Sequence, residues 1–239
     1  MKMNMTEFHG GSPNSSPECL EGHSLIGASL IIGKSTLLHI DCMSYMSGLP
    51  DKALDLAIVD PPYAWNSGNA FTSRLKKYGS LEFNNFRPTT QYFLELKRVS
   101  VNQIIWGGNY FVSDLWDTKC MIFWHKHQPV DTYADGEMAW TSFTDKHCAI
   151  YDYKYFGAIN REIDRFHPNQ KPVALYEWLL TNYAKPGQRI LDTHLGSGSS
   201  AIACNNLGFE MVGCELDQDY YRAACARVEQ ATKQERLFA

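Results

Sequence analysis

Short apolar runs bounded by polar residues recur along this chain, and each has the length of a buried strand. In the first half they predict strands at residues 36–40, 54–60, 103–106 and 121–124. Between the second and third runs, residues 89–99 carry apolar side chains at helical spacing and predict a helix. The first half therefore mixes strands and helix in the manner of an α/β protein.

The C-terminal third has the most regular pattern. It predicts a helix at residues 171–184, which a proline opens near its first turn. A strand, a helix, a strand and a helix follow at residues 189–192, 199–207, 210–215 and 218–229. Such a βαβα unit implies a parallel sheet with helices packed on its faces. The intervening segment 126–165 is less regular, and its runs at 138–143 and 149–153 predict antiparallel strands.

The N-terminal residues differ from the rest of the chain. Residues 1–34 are rich in Gly, Ser, Asn and Pro and predict a flexible leader, which leaves residues 35–239 as a single domain. The sequence has no apolar run as long as a membrane span, and its start has no signal-peptide core. We therefore expect a cytoplasmic protein.

Charge and cysteine content limit the kinds of partner. The formal net charge is −4, whereas nucleic-acid binders usually have a basic surface, so any DNA contact requires a local basic patch. The seven cysteines form no Cys-x-x-Cys pair, and no histidine joins them at the spacing of zinc ligands. This pattern favours reduced, buried thiols and predicts no metal site.

A glycine-rich loop joins the first strand and helix of the C-terminal unit. Residues 195–201 fit the pattern G-x-G-x-x-G/A, in which glycines let the backbone approach a ligand and the helix N-terminus presents free N–H groups. Glu215 ends the next strand about 20 residues on, where a carboxylate can accept hydrogen bonds from ribose hydroxyls. This arrangement predicts a nucleoside-containing cofactor; the alternative is a glycine-rich turn with a solvent-facing Glu215.

A second candidate site follows the predicted strand 54–60, which ends in Asp60 and continues into Pro61, Pro62 and Tyr63. In an open α/β sheet, ligands bind outside the carboxyl ends of the strands. The prolines fix the backbone, and Pro61 offers a carbonyl acceptor without an N–H. With the Asp60 carboxylate and the Tyr63 ring, this turn suits a planar group that bears an amine. A rigid turn that merely ends the strand is an equally good interpretation.

Four motifs in a fixed order resemble one family, from about Leu37 to Val228. The Asp-Pro-Pro-Tyr turn at 60–63, with the glycine loop at 192–198 far downstream, resembles the amino-methyltransferases of DNA, and specifically their beta group, in which the catalytic motif comes first. Two shorter motifs, at residues 39–42 with 49–51 and at residues 167–172, resemble the segments that precede the catalytic turn and the cofactor loop in that group.

The resemblance implies a Rossmann-like fold that binds S-adenosylmethionine, with a mostly parallel seven-stranded sheet, an antiparallel hairpin and helices on both faces. It implies that the catalytic residues are Asp60, Pro61, Pro62 and Tyr63. The cofactor-binding residues that it implies are Asp41, Cys42, Lys171, Asp192, Thr193, His194, Leu195, Gly196, Ser197, Gly198 and Glu215. Within this set, the resemblance implies that Asp41 binds the adenine amine, Glu215 the ribose and Lys171 the carboxylate of the cofactor's methionine part.

This chain departs from the family at the start of the glycine loop. The family usually has Pro and Phe where this chain has Thr193 and His194. In the family the Phe lies close to the cofactor. His194 either takes the place of that ring or makes a polar contact to the cofactor.

The implied reaction methylates the exocyclic amine of a base, with adenine N6 as the expected target. A base inside a duplex must be flipped out, and Tyr63 is the expected stacking partner. The partner is therefore double-stranded DNA, and we expect a monomer or a homodimer. Basic residues that are candidates for phosphate contact are Arg74, Lys76, Lys77, Lys126 and Arg161. Segment 126–165 is the expected target-recognition region, by its position alone.

Other functions remain open at this stage. An N4-cytosine methyltransferase more often has Ser at the position of Asp60. Methyltransferases that act on protein glutamine share the Pro-Pro-Tyr turn, but with Asn first and the cofactor loop upstream. The intact Asp60, Tyr63 and Glu215 argue against a non-catalytic DNA-binding module. DNA amino-methyltransferases work with a restriction enzyme, protect phage DNA or mark host DNA, and the residues favour none of these roles.

Overall fold

The computed structural model describes residues 27–63, 87–129, 134–155 and 165–235. Its strands are β1 Ser29–Ile32, β2 Ser35–His39, β3 Leu54–Val59, β4 Ser100–Trp106, β5 Met121–His125, β6 Gly136–Thr141, β7 Ala149–Asp152, β8 Arg189–Asp192 and β9 Glu210–Glu215. Its helices are α1 Cys42–Ser47, α2 Thr90–Val99, α3 Val173–Tyr183, α4 Ser199–Leu207 and α5 Gln218–Glu235. A 3-10 turn at Gly108–Tyr110 follows β4.

The described strands form one mixed sheet in the order β1-β2-β9-β8-β3-β4-β6-β5-β7. The five strands from β2 to β4 are parallel to one another. β6 runs antiparallel to both of its neighbours, β4 and β5. The predicted Rossmann-like α/β class and its antiparallel hairpin are therefore confirmed. The described sheet has nine strands rather than seven, because β1 and β7 extend its two edges.

The two edge strands correct the sequence predictions. Ser29–Ile32, within the predicted leader 1–34, forms β1, because a turn at Gly33 with a φ of +61° folds it back antiparallel onto β2. Residues 1–26 lie outside the described part of the chain. The second edge strand, β7, pairs parallel with β5. β6 and β7 do run in opposite directions, but β5 lies between them, so they do not pair with each other.

Helices cover both faces of this sheet. One apolar core joins α3, α4 and α5 to sheet residues that include Leu56 and Ile58. The other joins α1 and α2 to residues that include Ala57 and Val59. Successive residues of β3 thus point to opposite faces that are both covered. This explains why the sequence of β3 is a continuous apolar run rather than an alternating one.

The carboxyl ends of the central strands β3 and β8 lie next to each other at one end of the sheet. These strands are neighbours, but the chain leaves β8 through α4 toward β9 on one side, and it continues from β3 toward β4 on the other. Open α/β sheets bind ligands in the crevice where the strand order reverses in this way. Asp60 follows β3 and Asp192 ends β8, so both predicted motifs flank this crevice. Among the described helices, none is both long and apolar enough to cross a membrane.

Candidate active site

The turn after β3 holds the carboxylate of Asp60 at the crevice. Tyr63 bends back so that its hydroxyl donates a hydrogen bond to Asp60 Oδ1. The ammonium group of Lys171 donates to the other oxygen, Oδ2. Because the Asp60 side chain is 17% exposed, it is largely removed from water and yet can still be reached from the crevice.

Lys171 belongs to a network of two cations and two carboxylates. Its Nζ contacts Asp60 Oδ2 and lies 3.3 Å from Glu137 Oε2. Lys126, just after β5, pairs with the other oxygen of Glu137 at the start of β6. The buried charges therefore compensate one another, which is the condition for keeping ionised groups out of water.

The charges of this network shift the pKa values of Lys171 and Glu137. Burial alone would lower the pKa of Lys171, but the carboxylates of Asp60 and Glu137 raise it above its ordinary value. Burial would likewise raise the pKa of Glu137, but Lys171 and Lys126 bring it down to about 2. Lys171 and Glu137 are thus ionised near neutral pH. The Asp60 carboxylate accepts hydrogen bonds from Lys171 and Tyr63.

The position of Lys171 differs from the role that the family resemblance implies. Its ammonium lies on the catalytic turn rather than in the glycine loop, because two carboxylates converge on it there. Its backbone carbonyl does reach the loop, where it accepts a hydrogen bond of 2.7 Å from Ser199 Oγ. Lys171 therefore connects the predicted catalytic and cofactor motifs, and contact with the cofactor's carboxylate stays a prediction.

An aromatic pair lies beside Asp60. The ring of Tyr63 stacks on Tyr110 with 4.8 Å between centroids, and Phe111 meets it edge-on at 5.8 Å. Gly107, with a φ of +69°, makes room for this ring, since a Cβ there would lie 2.2 Å from it. Burial raises the pKa of Tyr63, so its hydroxyl stays protonated and donates to Asp60. The predicted stacking residue thus has an aromatic neighbour, Tyr110, that the sequence did not indicate.

The glycine loop has the backbone conformation that its sequence predicts. Gly196 and Gly198 have φ values of +52° and +75°, a region that residues with a Cβ rarely adopt. A Cβ on Gly198 would also lie 2.8 Å from Val228 of α5. From the same helix, the buried Arg227 donates a hydrogen bond of 2.9 Å to the carbonyl of Ser197. The loop is therefore held in one conformation at the start of α4.

The carboxylate of Glu215 lies at the tip of this loop. It accepts hydrogen bonds from the N–H groups of Gly196 at 2.8 Å and Asp217 at 3.0 Å. Burial nevertheless raises its pKa to about 7, because these two bonds compensate only part of the lost hydration. A ligand that donates further hydrogen bonds would stabilise the ionised carboxylate, as ribose hydroxyls would.

Asp192, at the end of β8, forms hydrogen bonds with both ends of the glycine loop. Its carboxylate accepts hydrogen bonds from Ser200 Oγ at 2.6 Å and from the N–H of His194 at 3.0 Å. The side chain is buried, and burial raises its pKa to about 6. Leu195 and Ser197 also face the interior, and Leu195 lies against Gly213, where a Cβ would come within 2.8 Å of its side chain. These residues shape the loop, and direct contact with a cofactor stays a prediction for each of them.

Asp41 and Cys42 follow β2 and therefore lie at the same end of the sheet as Glu215, which ends the neighbouring strand β9. β2 pairs with β9 so that His39 lies opposite Glu215. Asp41 caps α1, since its Oδ1 accepts a hydrogen bond of 2.9 Å from the N–H of Ser44, and the residue is exposed. Burial raises the pKa of Cys42 to about 12, and the carboxylates of Asp41 and Glu215 act in the same direction. The residues predicted for the adenosine part of a cofactor are therefore neighbours.

His194, at the position where the family usually has phenylalanine, has an uncharged ring. Burial lowers its pKa to about 4. The ring meets Tyr92 of α2 edge-on at 5.5 Å. Thr193 fixes both residues, since its hydroxyl forms hydrogen bonds of 2.6 Å with the Tyr92 hydroxyl and 2.9 Å with His194 Nδ1. This arrangement supports the interpretation that His194 replaces an aromatic ring.

The third motif, at residues 167–172, packs against the glycine loop. The ring of His167 is the nearest group to Gly196, and a Cβ added to Gly196 would lie 3.5 Å from that ring. The His167 ring meets the Tyr220 ring edge-on, with 4.5 Å between centroids. Burial lowers the pKa of His167 to about 3, and the charges of Lys171 and Arg165 add to this effect. The motif therefore supplies a neutral ring to the loop and a cation to the catalytic turn.

The predicted DNA contacts are largely outside the described residues, which include neither Arg161 nor the patch at 74–77. Lys126 is described, but its side chain is 17% exposed and pairs with Glu137. Its Nζ also lies 4.3 Å from the centre of the Trp124 ring. The structure therefore places Lys126 in the buried charge network rather than on a surface that faces phosphates.

Comparison with known proteins extends this picture. A family model described as DNA methylase, for N6 and N4 enzymes, matches residues 76–226. The type II methyltransferase M2.DpnII of Streptococcus pneumoniae is 21% identical to this chain, over 82% of this chain and 90% of that protein.

Solved structures agree in fold. The M1.HpyAVI–SAM complex has a TM-score of 0.55 at 20% identity and covers 81% of this chain and 99% of its own. PvuII DNA methyltransferase, described as cytosine-N4-specific, has a TM-score of 0.57 at 11% identity, with coverages of 84% and 92%. The family match spans more than half of the sequence. This chain belongs to the N6/N4 family of DNA methylases.

Proposed function

We propose that this DNA methylase transfers the methyl group of S-adenosylmethionine to the N6 amine of adenine in double-stranded DNA. The observation that carries the proposal is the position of Asp60. Its carboxylate is oriented by Tyr63 and Lys171 at the point where the strand order reverses, next to the glycine loop. A solved relative in fold is described as a complex with SAM, which supports the choice of cofactor.

The residues around the glycine loop fit S-adenosylmethionine. Gly196 and Gly198 have left-handed φ values, which give the loop a tight turn at the start of α4. Asp41 and Cys42 would contact the adenine, and Glu215 the ribose hydroxyls. The methionine part would lie along residues 193–198. The desolvated carboxylate of Glu215, whose pKa burial raises to about 7, favours a ligand that donates hydrogen bonds.

S-adenosylmethionine, when bound, supplies a methyl group on a positively charged sulfonium sulfur, which leaves as a neutral thioether after transfer. The lone pair of the exocyclic amine is conjugated with the base, which makes the amine a poor nucleophile. The protein must therefore orient the amine toward the methyl group. Asp60 and the Pro61 carbonyl would accept the two amine hydrogens, which favours a pyramidal nitrogen with its lone pair toward the methyl group. Since Lys171 neutralises Asp60, the amine proton leaves to water after transfer. Catalysis then rests on positioning and fixed charges.

A duplex base must leave the helix to reach Asp60, because the carboxylate lies inside the crevice. Tyr63 and Tyr110 provide aromatic surface beside it, and Tyr110 is 40% exposed. We propose that the flipped base stacks on this pair while its amine meets Asp60. The same surface could accept a cytosine, and the fold likeness to a cytosine-N4-specific enzyme keeps N4-cytosine methylation as the second candidate.

The state of Glu215 gives a pH dependence of cofactor affinity. Ribose hydroxyls bind the ionised carboxylate, so a proton on Glu215 must leave when the cofactor binds. We therefore expect affinity to fall about tenfold per pH unit below pH 7, where burial places the pKa, and to level off above it. Calorimetric titration with S-adenosylmethionine between pH 5.5 and 8.5 measures this, with about 7 as the midpoint. In Glu215→Gln the dependence should disappear; if it persists, another group such as Asp192 is its source.

The product identifies the base. We expect 6-methyladenine in duplex DNA that the purified protein has methylated, and nucleoside mass spectrometry measures it directly. Asp60 at the first position of the turn is the reason, since the cytosine enzymes more often have Ser there. Pocket fit alone discriminates by about 1–3 kcal/mol, so a minor cytosine product is compatible with the proposal. A product that is chiefly 4-methylcytosine contradicts the adenine assignment and leaves the role of Asp60 intact.

A further inference from the structure

A second polar cluster lies at the carboxyl ends of β5 and β7, outside the proposed active site. His125 ends β5 and Asp152 ends β7, and the two are partners in the parallel register of these strands. His127 follows two residues after His125. One potential ligand atom from each of these three residues lies within 4.8 Å of the other two.

The backbone holds these residues together. Beyond the strand ends, the N–H of Tyr153 donates to the carbonyl of His125 at 3.1 Å, so the pairing continues into the loop. His127 has a φ of +53°, in the left-handed region that residues with a Cβ seldom occupy. That conformation brings its ring to 4.0 Å from the His125 ring and its Nε2 into contact with Asp152 Oδ1. Two imidazoles thus converge on one carboxylate oxygen.

We propose that His125, His127 and Asp152 bind a zinc ion. Two imidazole nitrogens and one carboxylate oxygen are a set of three protein ligands that Zn²⁺ uses, with a fourth position left to water or another ligand. For bonds of 2.0–2.1 Å, the ligands of a tetrahedral ion lie about 3.3 Å apart. His125 Nδ1 lies 3.5 Å from Asp152 Oδ1, close to that spacing. His127 contacts the carboxylate directly and His125 Nδ1 lies 3.5 Å from it, so a cation between them would bind both imidazoles and the carboxylate.

The cluster is open enough for an ion to enter. The side chains of His125, His127 and Asp152 are 38%, 33% and 63% exposed, so the fourth position would face solvent. An ion between the two side chains requires Asp152 to move back from His127, and Asp152 is the most exposed of the three. Bound zinc would connect the end of β5, where segment 126–165 begins, to the end of β7 within that segment. The cysteine pattern could not indicate this site, because its ligands are a His-x-His pair and a distant aspartate.

Zinc binding to the metal-free full-length protein tests the proposal, with ZnCl₂ titrated by calorimetry. We expect wild type to bind zinc at this site, and His127→Ala and Asp152→Asn to bind it at least about 100-fold more weakly, because losing a residue that merely orients a ligand already costs 10–100-fold. His147→Ala, at an exposed histidine outside the cluster, is the matched control and should bind like wild type. Zinc should also raise the Tm of wild type and of His147→Ala, but not that of the two cluster variants.

Two results overturn the proposal. One is wild-type protein that takes up no zinc. The other is zinc bound with equal affinity and stoichiometry by wild type, His127→Ala and Asp152→Asn, which would place the ion elsewhere. Because Asp152 is exposed and His127 is partly exposed, circular dichroism should show that both variants are folded. The readout is independent of methyl transfer, so its failure leaves the proposed function untouched.

Discussion

Asp60→Ala is expected to lower methyl transfer to DNA by about 10³-fold while the affinity for S-adenosylmethionine changes by less than about threefold, since one preorganised polar group is worth 10²–10³ in turnover. The reason is that the residues proposed to bind the base and those proposed to bind the cofactor lie in different parts of the crevice. In the proposed function Asp60 would face the base amine, and Tyr63 and Lys171 hold its carboxylate. The residues proposed to bind the cofactor lie mainly along β8, β9 and the glycine loop. Tritium transfer from the labelled cofactor measures the first quantity, and calorimetry measures the second.

Two further variants make this result specific. Asp60→Asn keeps the shape of the side chain but removes its charge, so it should lose activity without leaving a cavity beside Lys171. Asp55→Asn is the matched control, because Asp55 lies near the other end of β3 and its carboxylate accepts a hydrogen bond from the N–H of Arg189. It should turn over like wild type. Near-normal turnover in Asp60→Asn would contradict the catalytic role of this carboxylate.

The parallel half of the fold could be predicted because its strands and helices have clear patterns of apolar residues and glycines within short stretches of sequence. β8, α4 and β9 have the ends that the apolar pattern predicts, and the left-handed glycines at 196 and 198 occupy the loop between them. A strand buried on both faces is a continuous apolar run, and a helix after a glycine turn begins at a definite residue. Motif order then identifies the site, since both motifs end neighbouring strands.

The rest of the site depends on pairings between distant parts of the chain. Glu137 is a charged residue at the start of β6 with no motif around it, and it reaches Lys171 only because β6 runs antiparallel beside β4. Tyr110 meets Tyr63 because Gly107 lets the chain turn after β4. A family motif identifies Lys171, but the direction of its side chain depends on which carboxylates surround it. Such contacts have large sequence separations, so local patterns do not contain them.

Lys171→Met is expected to lower the free energy of unfolding by about 3–5 kcal/mol, because it leaves Asp60 and Glu137 as buried carboxylates that have lost their shared cation. We also expect methyl transfer to fall by at least about 100-fold, since the Asp60 carboxylate is no longer held in place. Urea denaturation measures the first effect, and tritium transfer the second. Lys185→Met, at an exposed lysine, is the matched control and should change neither.

Cofactor affinity separates the two roles considered for Lys171. If its ammonium orients Asp60, as the structure has it, Lys171→Met binds S-adenosylmethionine like wild type and loses turnover. If it instead binds the carboxylate of the cofactor, as the family resemblance implies, Kd rises by tenfold or more, on the scale of a lost charge-assisted hydrogen bond of about 1.5–3 kcal/mol. Adding Glu137→Gln should recover part of the lost stability, because it removes one carboxylate charge and leaves one carboxylate, Asp60, with one cation, Lys126. Full stability and full turnover in Lys171→Met would show that the network contributes to neither.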